Sequence, residues 1–265
     1  MKQLNRLYED KINHLRKYKV TFQNSLSICF PGFLDLFNDG YSGLAMVILK
    51  KYPHPDLIKN KQRETIARYI EKHTCHKKVV SMRYAVKIID FANETYPGCD
   101  YDNIEVKILQ DLLEKVEMIR NDADETLRKI IQIAETINEY YLILSIDGIG
   151  PNLASRILAE IGDIKRFKTR EALIAYLGLD PNISQSGQLD GDHLSISKKG
   201  NKQLRCLLYL AVTCNIRLKK VNPINQFYQK KRQQLNNSKA AKVACTAKLA
   251  KIIYGMCKNN TIFQR

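Results

Sequence analysis

Tryptophan is absent from the 265 residues, and glycine and proline are sparse, at 12 and 7. So few turn formers argue against a β-sandwich or a low-complexity polymer and for a helix-rich chain. No apolar run approaches the roughly 20 residues of a membrane span, and the first residues, MKQLNRLYEDK, lack the apolar core of a signal peptide. Neither a membrane nor export is indicated, and the expected location is the cytoplasm. The cysteines (Cys29, Cys75, Cys99, Cys206, Cys214, Cys245, Cys257) are odd in number and scattered, with no CxxC pair. That spacing indicates neither a disulfide framework nor a zinc knuckle, and the seven read as reduced, mostly buried thiols.

What is present is enough apolar material for a core, 45% of residues, and an uneven positive charge. Residues 1–100 hold 17 basic and 10 acidic residues, net +7; residues 101–147 hold 5 and 11, net −6; residues 148–265 hold 21 and 6, net +15. Excess charge gathered at the C-terminal end attracts a polyanion and gains affinity by counterion release, which makes nucleic acid the expected partner. A lipid surface fits less well, because the lysines are spread through helices and loops instead of forming one juxtamembrane run.

Periodicity predicts an all-α fold. Leu4, Tyr8, Ile12, Leu15, Phe22, Leu26 and Cys29 share one face of a first helix that ends before Pro31. Turns follow at Asn38 to Gly40 and at KYPHPD, with Asp56 as the expected cap of a helix running to Lys72. HTCH, at His73, Cys75 and His76, lacks a second ligand pair at zinc spacing and reads as a helix end. Beyond Asp102, the stripe Ile108, Leu112, Val116, Ile119, Ala123, Leu127, Ile130, Ala134, Ile137, Tyr141 and Leu144 predicts one helix of about ten turns, on the order of 60 Å. That length suggests a coiled-coil arm over residues 102–145, set between a helical region 1–101 and a C-terminal domain 146–265. The arm either joins two copies in a homo-oligomer or packs antiparallel on the first helix.

In LSIDGIGPNLASRILAEIG, Gly148 and Gly150 permit a tight turn and Pro151 suits the first position of the next helix, a helix-hairpin-helix pattern. The backbone N–H groups of such a turn can hold a phosphate without reading bases; a plain helix connection would use the same glycines. Thr169 is the expected cap of a helix closed by Gly178. Ser184, Ser186, Gly187, Gly191 and Asp192 mark a loop, in which the DGDH of Asp190, Asp192 and His193 is a plain turn. Ser197 is expected to cap the helix announced by Leu204, Leu207, Leu208 and Ala211. With Lys198, Lys199, Gly200, Asn201, Lys202 and Arg205 at its start, that helix reads as a phosphate clamp.

Read together, LSIDGIGPNLASRILAEIGDIKRFKTREALIAYLGLDP, QSGQLDG and SISKKGNKQLR resemble the C-terminal domain of a family of insertion-sequence transposases. These join a DEDD-type ribonuclease-H-like domain to a serine-bearing domain, and they include bridge-RNA-guided recombinases and pilin-gene invertases. The resemblance covers residues 142–215, with a looser likeness at FPGFLDLF and KKYPHPDLI. It implies a DNA recombinase that works through a phosphoserine link, with Ser186 as nucleophile and Lys198, Lys199 and Arg205 offsetting charge on the phosphate oxygens. DNA is the implied partner and a guide RNA an optional second one. The family's four metal-binding carboxylates have no counterpart in residues 1–30, which match the helix expected to follow that domain. No cofactor is therefore expected in this chain, and Mg2+ only together with the acidic domain. Two readings follow: a strand-transfer protein completed by that domain, or a non-catalytic nucleic-acid-binding remnant or accessory subunit.

Overall fold

A computed structural model describes residues 1–180, 196–218 and 222–264, and among these the chain is all-α, with twelve helices and no strand. In chain order they are α1 (Lys2–Cys29), α2 (Gly43–Lys51), α3 (Asp56–Lys59), α4 (Arg63–His73), α5 (Lys78–Glu94), α6 (Ile104–Ala134), α7 (Asn138–Leu144), α8 (Pro151–Ile161), α9 (Arg170–Leu177), α10 (Lys202–Arg217), α11 (Pro223–Leu235) and α12 (Ser238–Asn259). Two compact units divide inside α1 and α6: Glu9–Asp124, and Met1–Tyr8 with Glu125–Arg265. None of the described helices is long and apolar enough to cross a membrane.

In the first unit, the Glu9–Cys29 part of α1 runs antiparallel to the start of α6. Lys11 pairs with Asp122 at 2.7 Å near one end, and Gly98 N–H donates to the Ile28 carbonyl at 2.7 Å near the other. Phe22, Leu26, Leu109 and Leu113 are buried in the shared core with Phe30, Phe33, Ile48, Ile66 and Ile88. Of the predicted stripe, Leu112 and Val116 are buried in this core, whereas Ile108 is exposed and Leu109 and Leu113 face inward instead.

Two expected helices are interrupted. The helix predicted from Asp56 to Lys72 breaks at Asn60, and Asp56 is the first residue of α3, not a cap. Ile58 in α3 and Ile66 in α4 are both fully buried. The arm predicted from Asp102 to Leu144 ends at Ala134 after 31 residues, about 46 Å, because Ile137 turns extended. Thr136 and Ile137, β-branched and poor helix formers, sit at the break, where the Thr136 hydroxyl donates to the Ile133 carbonyl. The break shifts the stripe by one residue: Tyr140 and Ile143 are buried, while Tyr141, which the unbroken period would place inward, is half exposed.

In the second unit, α12 packs against α7, α9, α10 and α11. Tyr140, Ile143, Ile157, Leu173, Leu177, Leu208, Leu249 and Ile253 fill the core. Thr169 caps α9 through its side chain and Gly178 closes it in a left-handed conformation, both as predicted. Asn201, Asn222 and Asn237 cap the last three helices, each holding a backbone N–H that would otherwise lack a partner, worth about 0.5–2 kcal/mol apiece.

Candidate functional site

The segment after α9 and the segment before α10 cross at two glycines. A Cβ on Gly200 would lie 2.5 Å from Gly178 N and Tyr176 O, and one on Gly178 would lie 2.9 Å from the Lys198 carbonyl carbon. Only two residues without side chains allow this approach. Backbone bonds run across the crossing: Ser197 N–H to Asp180 O at 2.9 Å, Lys198 N–H to Gly178 O at 3.0 Å and Asn201 N–H to Tyr176 O at 2.7 Å. The Ser197 hydroxyl donates to the Asp180 carboxylate at 2.7 Å. Ser197 is therefore a clasp between the two segments, and Asn201, not Ser197, caps α10 by accepting from Leu204 N–H. Ser186, with Ser184, Gly187, Asp190, Gly191, Asp192, His193 and Ser195, lies outside the described residues. The described residues flanking that stretch are nonetheless held together at the clasp.

Beneath the crossing lies a carboxylate that sequence reasoning did not single out. Glu160 on α8 is fully buried, and its two oxygens accept from Asn5 at 2.8 Å, Arg6 at 2.8 Å and Asn201 at 2.7 Å. Arg6 also donates to the Asn201 side-chain amide oxygen, Oδ1, at 3.2 Å, and its side chain stays 41% exposed, so it carries a cation to this surface. Tyr176 sits alongside: its hydroxyl accepts from Lys2 at 3.1 Å and Asn201 at 3.0 Å, and Arg166 lies 4.5 Å from its ring centroid. Burial opposes ionisation of this phenol, but hydrogen bonds from Lys2, Arg166 and Asn201 and the Lys2 charge outweigh it, so its pKa lies below the ordinary tyrosine value. Arg156 donates to Asn5 at 3.1 Å and lies over Tyr8, and burial holds its pKa below the usual arginine value.

The predicted phosphate-binding residues therefore divide. Lys198, Lys199, Gly200 and Lys202 are exposed, and Lys198 adopts a left-handed φ of 54° that turns the chain toward α10. Asn201 is committed to its cap and to Glu160, and Arg205 donates to the Leu177 carbonyl at 2.6 Å, so these two brace the lysine-bearing segment from beneath. At the hairpin, Gly150 opens α8 at the surface, whereas Gly148 (φ 86°) faces inward, its Cβ position 2.9 Å from Asn215 N. Asn215, from α10, donates to the Asp147 carbonyl at 2.7 Å and ties the hairpin to the clamp helix. The first glycine is thus a packing residue and the second an exposed helix start.

A cavity of about 560 Å³ opens between Lys2, Glu139, Gly162, Asp163 and Arg166 on the flank of this network. Among the described residues no group of three or more His, Cys, Asp or Glu side chains could hold a metal ion. At HTCH, His73 bonds the Tyr69 carbonyl at the end of α4, as a helix end requires. Lys2, Asn5, Arg6, Glu160 and Tyr176 are the residues sequence reasoning missed. The available signal was Glu160 itself, a lone acid inside the apolar run of ILAEIG, which has to be paired if buried.

Residues 140–229 match the family described as Transposase IS116/IS110/IS902. The chain is 28% identical over 124 residues to the pilin gene-inverting protein of Moraxella bovis, covering 47% of this chain and 38% of the relative. It is 36% identical over 98 residues to the transposase for insertion sequence element IS1111A of Coxiella burnetii, covering 37% of this chain and 26% of the relative. Over 179 residues it is 22% identical to the uncharacterized 44.8 kDa protein of insertion element IS116 from Streptomyces clavuligerus, covering 68% of this chain and 44% of the relative. The chain therefore spans less than half the length of these relatives.

Proposed function

From the match of residues 140–229 to the IS116/IS110/IS902 transposase family, we propose that this chain handles DNA for an insertion-sequence recombinase, joining strands through Ser186. The observation that carries the reading is the Gly178/Gly200 crossing. It holds the flanks of the Ser186-bearing stretch together beside Lys198, Lys199, Lys202 and Arg6. Cations there attract the phosphate backbone and offset charge that develops on phosphate oxygens as a phosphorus is attacked. The exposed start of α8 at Gly150 adds a second backbone contact of helix-hairpin-helix type. A guide RNA would meet the same cations.

In the proposed step the Ser186 oxygen forms a bond to phosphorus, the strand's own oxygen leaves, and the serine proton passes to a base. Among the described residues, the two carboxylates at the crossing are already engaged, Glu160 with Arg6 and Asp180 with Ser197. The base is therefore assigned to the family's acidic, metal-binding domain. The described residues do not fit a metal centre.

Strand joining on paired nicked duplexes, with that domain and magnesium supplied, tests the reading. The wild-type chain joins strands and Ser186→Ala does not, while both bind DNA alike. Joining by the alanine variant, or DNA binding that is indifferent to salt, would overturn it. Binding without joining under these conditions would favour the non-catalytic accessory.

A further inference from the structure

Beyond Asp192 the sequence has no aspartate or glutamate, against 16 lysines and arginines. Part of this charge has structural work: Lys248 donates to the Pro223 carbonyl and Lys251 approaches Glu171. Another part is not paired with an acid. Lys230, Lys231 and Arg232 on the second half of α11 and Lys239 and Lys242 on the first turns of α12 form no ion pair among the described residues. Lys230, Arg232 and Lys239 are exposed, and only Asn236 and Asn237 separate the two helices. Arg232 complements the dipole at the end of α11, but Lys239 stands in the first turn of α12, where a cation opposes it. Helix stability therefore does not account for the cluster. It is also joined to the clamp. The Lys242 ammonium lies 6.0 Å from the centroid of the Tyr209 ring on α10, and Tyr209 stands seven residues after Lys202, about 10 Å along the same helix face.

We propose that the α11–α12 hairpin is a second DNA-backbone surface, continuing the track that begins at Lys198, Lys199 and Lys202. Duplex flanking the reacting strand runs over it, held by phosphate contacts without base readout. This rests on the DNA-handling reading above but extends past the family match, which ends at residue 229. An anionic membrane is the other polyanionic surface to consider. It would call for an apolar face to insert, and on α11 Ile224 and Tyr228 are buried in the core, leaving Leu235 as that helix's one exposed large apolar residue, too little for such a face.

The test compares the salt dependence of duplex DNA binding for the wild-type chain and for Lys230→Gln/Arg232→Gln/Lys239→Gln, with thermal unfolding of each as a fold control. Three lost phosphate contacts lower the slope of log K against log salt by about 2.7, so the affinity lost between 50 and 200 mM salt becomes about 40-fold smaller than in the wild type. An unchanged slope in a folded variant, with the wild type binding normally, would overturn this surface and leave the first reading intact. Wild-type binding that ignores salt would sink both. Phosphatidylserine vesicles form the third arm: vesicle binding lost in the variant while its DNA slope is unchanged would reassign the cluster to a membrane.

Discussion

Replacing Glu160 with glutamine tests whether the buried network holds the clamp. The substitution keeps the shape and removes the charge. One carboxylate oxygen faces Arg6 and Asn201, the other faces Asn5, and all three are donors. A glutamine can turn its oxygen to only one side, so its amide meets a donor on the other. Turning Asn5 to compensate would cost the bond it accepts from Arg156. Breaking a buried ion pair from one side costs about 3–5 kcal/mol, and because Arg6 is 41% exposed and can regain water, the cost is reduced to about 2–4 kcal/mol. For a domain of this size that is roughly 6–12 °C in Tm at about 3 kcal/mol. Denaturant unfolding of both proteins measures it, with the midpoint falling and the slope m unchanged. A loss below about 1 kcal/mol would refute the reasoning. Such a result would mean that the donors around Glu160 find other acceptors without strain.

Three further outcomes are expected. Gly200→Ala should destabilise by about 3 kcal/mol in the same unfolding assay, because its Cβ would meet backbone at 2.5 Å, while Gly255→Ala in the middle of α12, with open space at its Cβ, should stabilise by about 0.5–1 kcal/mol. Tyr176 should be the first phenol to ionise in an ultraviolet pH titration, a phase that Tyr176→Phe removes. Its depressed pKa adds stability only as pH rises above that value and is lost as pH falls back through it, so stability at neutral pH is untouched by this group's ionisation. At pH 8 a thiol reagent should label the exposed Cys75 and Cys206 first. Cys29, whose thiol burial and the neighbouring Cys99 push up to about 12, is about one part in 10⁴ thiolate at that pH and should be protected.

The sequence carried more of the local structure than of the site. Thr169, Pro151 and Gly178 announced their helix ends because caps act over one turn. The break at Ile137 was hidden because Tyr140 and Tyr141, Ile143 and Leu144 offer two apolar stripes one residue apart. Only the packed core selects between them. At the site, motif spacing located the cations Lys198, Lys199 and Lys202 but could not tell them from Asn201 and Arg205, whose partners Glu160 and the Leu177 carbonyl lie 41 and 28 residues away in sequence. Lys2, Asn5 and Arg6 were further out of reach. Their contacts with Glu160 and Tyr176 span more than 150 residues.

The central claim, that Ser186 carries the DNA strand, is tested most directly by mapping the covalent link. A nicked suicide duplex is incubated with the chain, the acidic domain and magnesium, the trapped adduct is digested with nuclease and protease, and the modified peptide is sequenced by mass spectrometry. The account predicts a nucleotide joined through phosphate to Ser186, and no adduct with Ser186→Ala. A link at Ser184, at Tyr209 or at any other hydroxyl would contradict it.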